Sequence, residues 1–153
     1  MSAIRQEFAL DVPPREVRAA LTNIGEIQKW WTRETKGSTG VGEQFAVKFS
    51  GDDAFALFEV VRSDDDRVVW KCVDSKMMGG DEWTGTTVEW HIKDKDGRTL
   101  LELVHDGFAQ GSTVMRVCTE GWAYYAGESL GAHLVRGEGI PYDPEQQEFQ
   151  KTL

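Results

Sequence analysis

A succession of apolar-alternating segments followed by one long amphipathic stretch, residues 112–136, constrains this chain more than any other feature. That stretch is the only one long enough to be a major helix. At about 100° per residue, Met115, Cys118, Trp122, Tyr125, Ala126, Ser129 and His133 fall on one side, an apolar face with polar tips. Gly121, Gly127 and Gly131 lie within or beside it, and each lowers intrinsic helix stability by roughly 1 kcal/mol against alanine. Such a helix must recover that loss by packing closely on a partner, or by bending so that it encloses space. Gly137 and Gly139 suit a C-terminal cap, and Pro141 forbids continuation.

Upstream, residues 4–10 read as a strand with Ile4, Phe8 and Leu10 on one face. Asp11 and the Pro13-Pro14 pair end it and open a helix marked by Val17, Ala20, Leu21 and Ile24, with a second short helix expected over residues 26–31. The Gly-, Ser- and Thr-rich residues 37–42 read as a loop. Alternation then dominates. Phe45, Val47 and Phe49 share a face, as do Phe58 and Val60, then Val68, Trp70 and Cys72, then Val88, Trp90 and Ile92, then Leu101, Leu103 and His105. Asp64, Asp65 and Asp66 make a solvated hairpin turn, since a calcium loop would need further spaced oxygen ligands. Met77 and Met78 fall in a glycine-containing loop, as adaptable packing at a pocket mouth or as loop packing alone. The expectation is an α+β domain over residues 1–141, with about six antiparallel strands curved around the final helix, and a polar tail over 142–153.

Composition excludes several classes. At 153 residues there is room for one core. A formal net charge of −9 opposes a phosphate backbone, so nucleic acid is a poor partner. No apolar run approaches the roughly 20 residues that span a bilayer, and the N-terminus lacks a signal core, so a cytoplasmic location is expected. Cys72 and Cys118 are far apart and read as buried thiols. The residues leave the oligomeric state open.

Several motifs carry a family resemblance: Trp83-x-Gly-Thr-x-Val-x-Trp90, then Thr99-x-Leu-x-Leu-x-His105 followed by Asp106, Gly107 and Phe108, then Gly121-Trp122-x-Tyr124-Tyr125, then Ser129-Leu130 and Gly137-x-Gly139-x-Pro141. Together they resemble the activator of heat-shock-90 ATPase-like family, within the START-like, polyketide-cyclase-like helix-grip superfamily. The resemblance runs from the first strand to Pro141. It implies a curved sheet gripping the C-terminal helix around an apolar cavity. Chaperone activators of this kind also carry an N-terminal chaperone-binding domain, for which this chain has no room, so the resemblance implies small-molecule binding more strongly than a chaperone partner.

The candidate ligand-binding residues are therefore the inward aromatics and their polar neighbours: Phe45, Phe49, Phe58, Trp70, Trp90, Leu103, His105, Trp122, Tyr125 and His133. For any one of these aromatics a filled core is the simpler reading, and ligand contact the functional one. His105 ends an otherwise apolar strand face, as a structural imidazole bonded to backbone or as a cavity donor or base. His133 is a rim candidate and His91 faces solvent. No histidine, cysteine and carboxylate spacing forms a zinc site, and no nucleophile elbow or phosphate-cradling glycine loop is present, so no metal or cofactor is expected. The acidic pairs Asp52/Asp53 and Asp143/Glu145 read as solvated surface. The leading expectation is noncatalytic binding of a lipid-like or aromatic molecule. The rivals are a cyclase or aromatase using His105 and Tyr125, and a protein-interaction module.

Overall fold

A computed structural model of the chain describes residues 2–49 and 54–143. β1 (Ser2–Leu10) leads through α1 (Pro14–Thr22) and α2 (Ile24–Trp30) to six further strands: β2 (Thr35–Gly37), β3 (Gln44–Lys48), β4 (Phe55–Ser63), β5 (Arg67–Lys76), β6 (Thr87–Lys95) and β7 (Arg98–Phe108). All pair antiparallel in the order β1-β7-β6-β5-β4-β3-β2. The sheet thus has seven strands where alternation indicates six. The additional one, β2, is only three residues long, too short to show a period. Its last residue, Gly37, has φ 129°, and a Cβ there would stand 2.4 Å from the Gln44 carbonyl, so the pairing with β3 needs glycine.

The long helix is continuous but not uniform. α3 (Thr113–Trp122) passes into a π-helical segment (Ala123–Ser129) and then α4 (Leu130–Arg136). Ser112 caps α3 by accepting from the Met115 amide, and its hydroxyl donates to Glu82. The Leu130 amide donates to the Tyr125 carbonyl, five residues back. These wider turns shift the phase of the face, so that Cys118, Trp122, Ala126, Ser129 and Leu130 are buried while Tyr125 and His133 are only partly so. Gly137 then caps the helix in the left-handed conformation.

The inward sheet face carries the alternating residues expected of it, Phe45, Val47, Phe58, Val60, Val68, Trp70, Cys72, Val88, Trp90, Leu101 and Leu103, all buried. All six tryptophans join this core. Trp31 stacks on Trp30 and Trp70 with ring centroids 5.8 and 6.0 Å away, and Trp90 meets Trp122 edge-on at 5.5 Å. Asp64 closes the β4–β5 hairpin through its amide to the Arg67 carbonyl. Asp52, Asp53 and Glu145 lie outside the described residues, while Asp143 pairs with Arg33 at 3.0 Å. Tyr142, at the expected start of the polar tail, is buried and bridges Thr32; the tail beyond 143 lies outside the described residues.

Ser129 locks the helix onto α2. Its hydroxyl donates to the Trp30 carbonyl at 2.7 Å and accepts from the Ile140 amide at 2.6 Å, and it is wholly buried. Ser129→Ala leaves both backbone groups unpaired and is expected to lower unfolding free energy by about 2 kcal/mol, measured by urea denaturation. A change within error of wild type would show that neither group depends on this hydroxyl.

Candidate functional site

Beside the junction of α3 and the π-helical segment, the helix and the connections that follow α2, β3 and β5 enclose a cavity of about 150 Å³, and none of its lining residues belongs to a strand. The floor is aromatic: Trp31 follows α2, Trp83 comes from the β5–β6 connection, and Trp122 comes from the helix. Phe49 and Tyr125 form one side, Met77 and Val117 another, and Cys118 and Gly121 complete the helical wall. The packing is close on the core side, with Trp31 and Trp122 centroids 4.9 Å apart, and looser towards Val117, which is largely exposed. Gly121 matters here because a Cβ at that position would meet no heavy atom within 4 Å.

Two indole donors are held by hydrogen bonds rather than by packing alone. Trp83 Nε1 donates to Cys118 Sγ at 3.1 Å, and Trp122 Nε1 donates to His105 Nδ1 at 3.0 Å. Because Nδ1 accepts, the neutral His105 carries its proton on Nε2, which lies 2.9 Å from Thr86 Oγ1; that hydroxyl in turn donates to the Trp83 carbonyl at 2.6 Å. His105 is completely buried, and burial pushes it down to about 3. It is the structural imidazole of the two alternatives, though bonded to side chains rather than to backbone. Both nitrogens are engaged, and it does not border the cavity.

Of the candidate residues, Phe49, Trp122 and Tyr125 come together on the cavity wall. Phe45, Phe58, Trp70, Trp90 and Leu103 do not line it; they are buried in the core beneath, where Trp31 packs on Phe58 and Trp70 and Trp122 packs on Trp90. His133 is also elsewhere, with Nε2 2.9 Å from Glu26 Oε1, joining α4 to α2. Trp31, Trp83, Val117, Cys118 and Gly121 line the cavity but are absent from that candidate set. Trp31 and Trp83 flank elements rather than sitting inside a periodic run. Met77 agrees with its alternative placement at a pocket mouth.

The titratable groups on the wall are held neutral. Burial pushes the Cys118 thiol up to about 11 and the Tyr125 phenol up to about 12. Cys72, in the core, is likewise pushed to about 11 by burial. Among the described residues no three His, Cys, Asp or Glu side chains are grouped to hold a metal ion, and no helix is long and apolar enough to cross a membrane. The arrangement suits apolar contact and ring stacking, with a phenol hydroxyl at one side.

Comparisons with known proteins agree with this architecture. The chain is similar to the Aha1 dimer from Colwellia psychrerythraea, solved in solution, at 24% identity and TM-score 0.78, over 91% of this chain and 100% of that one. It is similar to CalU16 from Micromonospora echinospora at 26% identity and TM-score 0.66, over 98% and 81%. DynU16, a protein of the dynemicin biosynthetic locus, superposes at 20% identity and TM-score 0.75 over 91% of this chain, which spans about half (49%) of that protein. No curated protein matches. The model of one family, described as activator of Hsp90 ATPase homolog 1-like protein, matches residues 11–135. With that match over most of its length and a curved antiparallel sheet closed by a long C-terminal helix, the chain belongs to the activator of Hsp90 ATPase homolog 1-like family.

Proposed function

We propose that this protein binds a small apolar molecule carrying a single aromatic ring, in the cavity between the C-terminal helix and the connections that follow α2, β3 and β5, without acid–base chemistry by His105 or Tyr125. The carrying observation is the cavity itself, about 150 Å³ with Trp31, Trp83, Trp122, Phe49 and Tyr125 around it. A dry apolar cavity of about that size takes up benzene in an engineered protein, whereas drug-sized ligands occupy roughly 300–1,000 Å³. Size therefore favours a monocyclic ring over the lipid-like or polycyclic molecules that the fold family suggests. The neutral phenol of Tyr125 makes no hydrogen bond to the protein among the described residues, so it is free to donate to a polar substituent of such a ring.

The test is calorimetry and thermal shift with benzene, phenol and indole derivatives, set against naphthalene and a long-chain fatty acid, with native mass spectrometry of the protein as purified. Single-ring probes are expected to raise the melting temperature, with naphthalene and the fatty acid at least about tenfold weaker. Gly121→Leu is the decisive variant. Its side chain enters the void, so binding should disappear while the fold gains a few tenths of a kcal/mol from helix propensity. If single-ring probes fail to bind wild type, or bind the leucine variant equally well, the proposal is wrong.

A chaperone-facing surface is the second reading. It is supported by the family description and by exposed Met78, Val117 and Tyr124, which belong to the cavity wall or are next to residues that do. Co-sedimentation with Hsp90 distinguishes it, because Gly121→Leu should leave that association unchanged.

A further inference from the structure

β1 is an outer strand whose single sheet neighbour among the described residues is β7. A strand of this length with one open side is a template for further pairing unless something covers or blunts it. Its even-numbered side chains turn towards the helix: Gln6 bonds the Thr119 carbonyl, and Phe8 and Leu10 approach Gly127 and Gly131. The odd-numbered Arg5, Glu7 and Ala9 are exposed. Beside the second half of the strand runs a groove of about 580 Å³, walled by Gly127, Gly131 and Val135 of the helix, and no described residue fills it.

Unpaired charges sit at the middle of this edge. Arg5 and Glu7 make no ion pair among the described residues, and Glu7 stands directly across β7 from another carboxylate, Glu102. Gln6 donates from Nε2 to Thr119 at 2.9 Å, yet its Oε1 is buried with no hydrogen-bond partner.

We propose that β1 is the docking edge for a second copy of this chain, paired antiparallel about a two-fold axis through Gln6. Residues directly opposite in an antiparallel pair point to the same face, so the inward set must meet the inward set and the outward set the outward. Gln6 is the middle residue of Ser2–Leu10, so this register overlaps the whole strand. It sets Arg5 of each copy opposite Glu7 of the other, and Ala3 opposite Ala9. Shifting the axis to Arg5 would put Arg5 opposite itself, and shifting it to Glu7 would oppose two carboxylates. On the axis the two Gln6 side chains are cross-strand neighbours with Cβ atoms about 5 Å apart. The interface is isologous, so each favourable contact occurs twice and closes a dimer without growing into a fibre.

Sedimentation velocity of the full chain, from low micromolar to near-millimolar concentration, tests this. Wild type is expected to pass from monomer to dimer. Arg5→Glu and Glu7→Arg should each weaken the dimer at least about tenfold, since each replaces two attractive pairs by two repulsive ones, and the double charge swap should restore it. Both positions are exposed, so the variants keep the fold, which an unchanged melting temperature of dilute samples verifies. Gln6→Cys should cross-link as a dimer under mild oxidation. A wild type that stays monomeric throughout, a dimer indifferent to both single reversals, or a double swap that fails to recover would each overturn the proposal.

Discussion

Replacing Trp122 with alanine is expected to lower the unfolding free energy by about 3–5 kcal/mol, the range for removing a large buried aromatic. Trp122 is 3% exposed and meets Trp31, Trp90 and Trp83 at centroid distances of 4.9, 5.5 and 6.3 Å. Truncation removes those contacts and also the indole that donates to His105 Nδ1, leaving a buried acceptor unpaired. Trp122→Phe separates the two losses: most ring contact survives, the donor does not, and the expected cost is about 1–3 kcal/mol. Because Trp122 forms one wall of the cavity, the alanine variant should also admit larger ring systems that wild type excludes. Urea unfolding gives the stabilities and calorimetry with naphthalene the selectivity. An alanine variant within about 1 kcal/mol of wild type would be incompatible with the packing described.

Acidification should weaken the fold through His105. Its folded value is about 3, against an ordinary value of 6.5, because burial opposes the imidazolium. Between those values the unfolded chain binds a proton that the folded chain does not, so stability rises with pH across the window. The contribution is fully present above about 6.5 and is lost as pH falls towards 3, with a slope of up to about 1.4 kcal/mol per pH unit. His105→Gln keeps a donor and an acceptor but cannot titrate. The slope of stability against pH between 6 and 4 should therefore be shallower in that variant by about 1 kcal/mol per unit. Equal slopes would remove His105 as the source. The same burial explains why the imidazole is no acid–base candidate for the cavity: it holds Trp122 in place from behind.

Much of the fold was legible in local pattern. Alternation along residues 45–49, 58–60, 68–72, 88–92 and 101–105 identified the inward face, because a strand must send successive side chains to opposite faces. The amphipathic period of residues 112–136, with Gly137 and Pro141 after it, identified the closing helix and where it stops. β2 was not legible, since Thr35–Gly37 owes its extended state to its pairing with β3 and not to any period of its own. The π-helical turns were not legible either. A projection at a constant angle carries Tyr125 and His133 fully onto the buried face, whereas the wider turns swing both towards its margin.

The candidate site divides along the same line. Phe49, Trp122 and Tyr125 were identifiable because they lie on amphipathic faces that had to meet. Phe45, Phe58, Trp70, Trp90 and Leu103 carry the same pattern yet are buried in the core, where the aromatic rings among them pack on one another, on Trp31 or on Trp122. Trp31 and Trp83 line the cavity from positions with no period to report them. By itself the sequence determined an antiparallel sheet, its buried face and a helix to cover it, because side-chain direction follows from backbone repeat within a few residues. Tertiary structure alone decided which aromatics border a void and which fill the core. A cavity is the volume left over after side chains distant in the chain have packed, and no local segment encodes that remainder.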